Sequence, residues 1–214
     1  MPGVCRRFRL EDEALKVPHI GWNTVHVTGE HPVLSHLRPG DEFYFVNSAA
    51  VRRPGLITEV SQVFGSQAVV LSMDVLQVEP TAEMPSGYEI VINGGRTRMG
   101  LDAIQWGVYG EELGAGELVI NSIDADGTKE GYELTLTREI AESVSIPVIA
   151  SRGAGRPGHL FEVLTEGKAD AALVASMLHY GEYTIGEIKS YLPDKGVKIR
   201  RPVELLCGPP NANR

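Results

Sequence analysis

The chain has 214 residues, room for one substantial core plus a small appendage, and its 43% hydrophobic and 22% charged residues are ordinary for a globular protein. Its formal charge of −8 and pI near 5.3 exclude DNA or RNA as the main partner, because phosphate backbones reward clustered Lys and Arg; a small phosphorylated ligand needs only a few local donors and is not excluded. The first residues, MPGVCRRFRLEDE, have no apolar signal core, and no window approaches the roughly 18 uninterrupted apolar residues of a membrane span, so neither membrane nor export is expected and the chain is placed in the cytoplasm.

Residues 1–16 are polar and read as irregular, with Cys5 and the distant Cys207 as free thiols. Two strands follow. WNTVHV (22–27) alternates and carries β-branched residues, EFYFV (42–46) is a second run, and RPG (38–40) is a turn between them. From Asn47 the rhythm changes. PGLITEVSQVFG (54–65) places Leu56, Val60 and Val63–Phe64 on one helical face, and QAVVLSMDV (67–75) is a short apolar strand closing on a carboxylate. YEIVINGGRTRMG (88–100) reads as a β excursion with an Asn-Gly turn, and LDAIQWGVYGEELGAG (101–116) as a helix with apolar residues at Ile104, Val108 and Leu113, in which Trp106 is read as helix packing rather than ligand stacking.

The pattern then tightens. Strand ELVINSID (117–124) leads to helix TLTREIAESV (135–144), with Thr135 or Thr137 available as its cap. Strand IPVIAS (146–151) leads to helix RPGHLFEVLTEG (156–167), opened by Pro157. Strand ADAALVAS (169–176) leads to helix TIGEIKSYLPDKG (184–196), stopped near Pro193 and Gly196, and the proline-rich tail reads as disordered. Short apolar strands alternating with helices imply parallel strands covered by helices. The four strands lie near 68–73, 118–122, 147–150 and 170–174, whereas a closed βα barrel needs eight. The expected fold class is therefore α/β: a partial (βα)8 barrel, about half of one, with a small N-terminal β-rich segment. Such a half either pairs with another copy as a homodimer or leaves its sheet edges open.

In βα barrels the site lies at the C-terminal ends of the strands. Asp74 stands there after the first strand, SIDADGTKEGYE puts Asp124, Asp126, Gly127 and Thr128 after the second, SRGAG (151–155) follows the third, and Ala175 and Ser176 follow the fourth. Glycine-rich turns let backbone N–H groups converge on an anion, and the small residues of the last two ends leave room for a phosphate. A carboxylate at Asp74, facing the Asp124–Asp126 turn, suits general acid/base work. Each feature alone also has a plainer reading: Asp124 or Asp126 as an Asx-turn or cap, Asp74 as a solvated strand end. His19, His26, His31 and His36 lack metal-ligand spacing, and neither a metal nor a cofactor is expected.

The segments SQVFGSQAVVLSMDV, SIDADGTKEGYE, SRGAG and ADAALVASMLHYGEYTIGEIKSYL closely resemble the cyclase subunit of imidazole glycerol phosphate synthase. The likeness covers residues 47 to about 200, which correspond to the end of strand 4 through helix 8 of that barrel. It implies a lyase of histidine biosynthesis. Ammonia and a phosphoribulosyl-formimino aminoimidazole carboxamide ribotide become imidazole glycerol phosphate and an aminoimidazole ribotide. On this likeness Asp74 matches the family's strand 5 acid/base carboxylate, and Asp124, Asp126, Gly127 and Thr128 match the strand 6 substrate loop. Ser151, Gly153, Ala175 and Ser176 match one phosphate-binding end, and Glu117 matches a charged residue at the ammonia entrance on the opposite end of the barrel.

KVPHIGWNTV (16–25) and GDEFYFV (40–46) instead resemble the partner glutaminase subunit, without its nucleophile region, so that subunit is a further expected partner. The implied division is a glutaminase-like β-rich fragment at 1–46, a cyclase-like half-barrel at 47–200 and a disordered tail at 201–214, the arrangement of a chimera. The chain departs from the family in two ways. The second essential aspartate, on strand 1, has no counterpart, which implies weak or no activity, and SRGAG carries Arg152 where the family has glycine. If that position has positive φ, the arginine is strained by about 1–3 kcal/mol; the alternatives are that its side chain contacts phosphate or simply fills the pocket. An assembly fragment without catalysis is the competing reading.

Overall fold

A computed structural model describes residues 52–199, together with the backbone of Gly21–Thr24 and Glu42–Phe45. The chain divides into two compact units, Met1–Arg53 and Pro54–Arg214. In the first, β1 (Gly21–Thr24) pairs antiparallel with β2 (Glu42–Phe45), Trp22 opposite Tyr44, as expected of the two runs. The RPG turn, residues 1–16, the tail 201–214, both cysteines and His19, His26, His31 and His36 lie outside the described residues.

The second unit opens with α1 (Gly55–Phe64) and a 3-10 turn, Ser66–Ala68, that delivers the chain to β3 (Val70–Gln77). A hairpin follows, β4 (Tyr88–Ile92) and β5 (Thr97–Asp102), turned through Asn93, Gly94 and Gly95, all at positive φ. Then come α2 (Ala103–Glu112), β6 (Glu117–Ser122), α3 (Leu134–Ser143), β7 (Val148–Ser151), α4 (Pro157–Thr165), β8 (Ala171–Leu173), the single turn α5 (Ser176–His179) and α6 (Ile185–Asp194). The sheet order is β5-β4-β3-β6-β7-β8, with β3, β6, β7 and β8 parallel and the hairpin antiparallel on the far side of β3. This is the α/β half-barrel: four parallel strands with helices between them.

Strand periodicity sorts the side chains into two faces. Leu71, Met73 and Val75 of β3, Leu118 and Ile120 of β6, and Val148 and Ala150 of β7 are buried. Ile140 of α3 and Val163 of α4, both fully buried, belong to the same helix-covered core. Close approach of α2 is permitted by Gly110, where an added Cβ would lie 2.3 Å from Leu71. On the alternate positions Ser72, Asp74, Val119, Asn121, Ile149, Ala171 and Leu173 are half-buried or exposed. This second face is the one that points into a closed barrel.

One helix end differs from the sequence reading. α3 is capped by Glu133, whose carboxylate accepts from the Leu136 N–H, and Thr137 returns its hydroxyl to the Glu133 carbonyl; neither threonine caps. α6 ends at Asp194, between Pro193 and Gly196 as expected, with Pro193 itself inside the last turn. Pro157 does open α4, and Thr184 with Glu187 forms a reciprocal capping box on α6.

Candidate functional site

The parallel register aligns one rung across the open face: Asp74 of β3 opposite Asn121 of β6, Asn121 opposite Ser151 of β7, and Ser151 opposite Leu173 of β8. One rung toward the strand N-termini, Ser72, Val119, Ile149 and Ala171 align likewise. The Asn121 amide donates to the Ser72 hydroxyl at 2.8 Å, tying the two rungs together. β3 runs about one turn of pleat further than the sequence reading gave it, so Asp74 projects from within the strand rather than following it.

The loop at 123–133 lies over this end and is tethered to three neighbours. Asp124 accepts from the Gln77 N–H at 2.8 Å, fastening the loop to the end of β3. Gly131 donates to the Gly153 carbonyl at 2.9 Å, and Lys129 forms an ion pair with Glu182 while lying 5.4 Å over the Tyr180 ring. Thr128 spends its hydroxyl within the turn, donating to the Ala125 carbonyl and accepting from the Glu130 N–H, and Gly127 sits exposed at φ +75°. Asp124 therefore acts as a loop anchor, whereas Asp126 reaches into the mouth.

What it meets there is Arg152. The guanidinium leaves the end of β7, crosses the β6 strand and donates from Nη1 to Asp126 at 3.1 Å and from Nη2 to Asp74 at 3.4 Å. Arg152 has φ +78°, the left-handed conformation that favours glycine. The sequence marks the residue for its backbone and for a side chain that contacts phosphate or fills the pocket; its ion pairs depend instead on β3 and the β6 loop, which lie 78 and 26 residues away in the chain.

Ser151 is buried, and Gly153 is buried at φ +90°, where a Cβ would stand 2.0 Å from the Gly131 carbonyl oxygen. This close approach makes glycine obligatory and seals the β6 loop against the β7 turn. His159, on the first turn of α4, is 5% exposed, and its Nδ1 accepts from the Gly155 N–H at 3.1 Å. Burial, then Arg156, lowers its pKa, with Glu162 opposing, so the neutral ring with Nδ1 as acceptor is the form this bond requires. No sequence signal marked this support for the SRGAG turn. Ala175 and Ser176 lie at the start of α5, on the strand next to β7, where the Ala175 carbonyl accepts from Leu178 and His179. Glu117 is at the other end of β6, opposite Val70, four residues before Asn121. Among the described residues no group of three or more His, Cys, Asp or Glu is placed to hold a metal ion, and no helix is long and apolar enough to cross a membrane.

A protein-family model described as "Histidine biosynthesis protein" matches residues 32–184. Among curated proteins, the chain is 63% identical over 164 residues to the imidazole glycerol phosphate synthase subunit HisF of Desulfatibacillum aliphaticivorans. It is 59% identical over 165 residues to the subunit of the same name from Syntrophobacter fumaroxidans, and 60% over 164 residues to that of Desulfosudis oleivorans. Each match covers 77% of this chain and 63 to 64% of the relative, so the chain spans less than two thirds of the proteins it matches. The family match begins at residue 32, inside the span that reads as glutaminase-like, and none of these three relatives is a glutaminase.

Proposed function

The chain belongs to the histidine biosynthesis protein family, and from that premise we propose that it is a cyclase-like component of imidazole glycerol phosphate synthase that retains one phosphate-binding end and little or no turnover of its own. The observation that carries the reading is the Asp74–Asn121–Ser151 rung, with a carboxylate and a glycine-rich turn on the same open face at the C-terminal ends of parallel strands. Ser151, Gly153, Ala175 and Ser176 border the phosphate, and the 123–133 loop with Asp126, Gly127 and Thr128 flanks the rest of the ligand, held at its base by Asp124. Asp74 supplies or takes a proton. These 214 residues offer one of the two carboxylates the resemblance implies, and a positioned acid/base group supplies about 10²–10⁴-fold in rate, which is the deficit expected.

The natural ribotide with ammonia tests this directly. Turnover should fall at least about 10²-fold below that of a complete cyclase subunit, while calorimetry should still register imidazole glycerol phosphate. Turnover equal to a complete cyclase defeats the claim of a crippled site, and failure to bind the product defeats the claim of a retained phosphate end and favours an assembly fragment.

The partner reading follows from the open edges. Among the described residues, β4 pairs with β3 only from Asp74 onward, residues 70–73 of β3 pair with β6 alone, and β8 is an edge strand. Val63, Phe64 and Val70 are exposed near the first edge and Leu173 and Ile185 near the second, the complementary edges that a second copy joins in a homodimer. A glutaminase subunit is the further partner, reached at the strand N-termini, where Glu117 stands at the ammonia entrance. The compartment proposed is the cytoplasm, where this biosynthetic chemistry has its substrates.

A further inference from the structure

Arginine at 152 is a costly choice for that backbone, and its side chain does not lie along its own strand. It spans β7 to β3 and forks between two carboxylates on different elements. Arg152 and Asp74 are each 26% exposed, so the pair lies partly withdrawn from water, in the middle of the mouth. The cation of the 123–133 loop, Lys129, is engaged by Glu182. A guanidinium has five donors and no acceptor. While it holds Asp74 and Asp126, the lone pairs it takes on those carboxylates are not open to the hydroxyl and N–H donors of a bound molecule. The register matters equally. Ala175 and Ser176 follow β8, on the side of β7 away from Asp74, so the guanidinium is directed away from the rim where a phosphate is proposed to sit.

We propose that Arg152 is a specificity-determining lock, closing the centre of the mouth to an extended phosphorylated ligand while leaving the phosphate rim accessible. This rests on the phosphate-binding reading above. A ligand anchored by its phosphate at Gly153 and Ser176 and reaching back to Asp74 must displace the guanidinium from both carboxylates. Inorganic phosphate needs no such displacement. Ligand selection is therefore set by length: the anion alone binds as if Arg152 were absent, and a ligand with a donor-bearing polyol or ring pays the full cost of opening the triad.

The experiment compares the full chain with Arg152→Gly and Arg152→Asn, titrating each with inorganic phosphate and with imidazole glycerol phosphate by calorimetry. Glycine and asparagine both suit φ +78°, so each variant keeps the backbone while removing the guanidinium. Phosphate affinity should stay within about twofold in both variants. Affinity for imidazole glycerol phosphate should rise about tenfold in Arg152→Gly, since two partly exposed ion pairs together are worth on the order of one tenfold step. In Arg152→Asn, whose side chain has neither the charge nor the reach for the two carboxylates, it should rise by a similar factor. Phosphate and product binding with no gain in either variant overturns the lock and leaves the phosphate-binding reading standing. A parallel change in phosphate affinity also overturns it, because Arg152 then acts at the rim itself. Absence of binding by both ligands in all three proteins overturns the lock together with the reading beneath it.

Discussion

His159 shows how a residue outside any motif can set the shape of a loop. Its imidazole is buried beneath the SRGAG turn and accepts a backbone hydrogen bond through Nδ1, a bond available only to the neutral ring. Burial is the main cause of its lowered pKa; Arg156 adds to it and Glu162 opposes it. Because the folded pKa lies below the unfolded one, the unfolded chain binds the extra proton first. The contribution to stability is complete above the unfolded value of about 6.5 and is lost as pH falls through the lower folded value. Urea unfolding should therefore show declining stability between neutral pH and pH 5. His159→Asn, which keeps an acceptor in a similar place without titrating, should flatten that decline; an unchanged slope would exclude His159 as its source. Gly153 works by exclusion, since Gly131 approaches too closely for any side chain. Arg152 differs from both, tolerating left-handed backbone while its side chain is paid in ion pairs.

At the scale of elements, the junction between β5 and α2 carries more than its length suggests. Asp102 ends the strand and caps the helix in one residue. One carboxylate oxygen accepts from the Ile104 and Gln105 N–H groups at 3.0 and 3.2 Å, and the other from the Ser86 N–H at 2.9 Å. Asp102 is 4% exposed, so those donors have no water to turn to when it is removed. Asp102→Ala should cost about 2–3 kcal/mol, combining a lost N-cap with an unsatisfied buried donor. Asp102→Asn, keeping one acceptor oxygen, should cost about half as much by the same reasoning. Denaturant midpoints measure both, and equal losses in the two variants would show that packing, not capping, dominates. The sequence gives no gap between strand and helix, so a helix from 101 and a strand to 100 is its natural reading, and the cap disappears between them. α3 posed the opposite problem. Two threonines at its start drew attention from Glu133, which caps it and also accepts from the Tyr88 hydroxyl at 2.9 Å, joining α3 to β4.

For the whole molecule the open face is the governing feature. Helices cover Leu71, Met73, Leu118 and Ile120, while on the other side Ser72 is exposed and Asp74, Val119 and Asn121 are partly exposed. Leu173 is 47% exposed on β8, and the homodimer proposed above would bury it. Leu173→Lys should leave the helix-covered core intact and weaken self-association by at least about tenfold, the loss expected when one leucine side chain is no longer buried. Sedimentation over a concentration series measures it. A wild-type chain that stays monomeric at high concentration, or a variant that associates equally well, would remove β8 from the interface.

The alternation of apolar strands with amphipathic segments was enough by itself to establish four parallel strands, the helices between them and the half-barrel class, because periodicity records which neighbour each side chain must face. Residue types at the strand ends likewise marked Asp74, the 123–133 loop and SRGAG, since glycine-rich turns and carboxylates are local chemistry. Tertiary structure alone decided how those parts are connected: Asp124 to the end of β3, His159 beneath the β7 turn, Gly131 against Gly153, and Arg152 across β6 to Asp74. Each of these joins residues from separate strand–helix units or opposite sides of a turn, and a hydrogen bond or ion pair is set by distance and direction in space, which spacing along the chain does not encode.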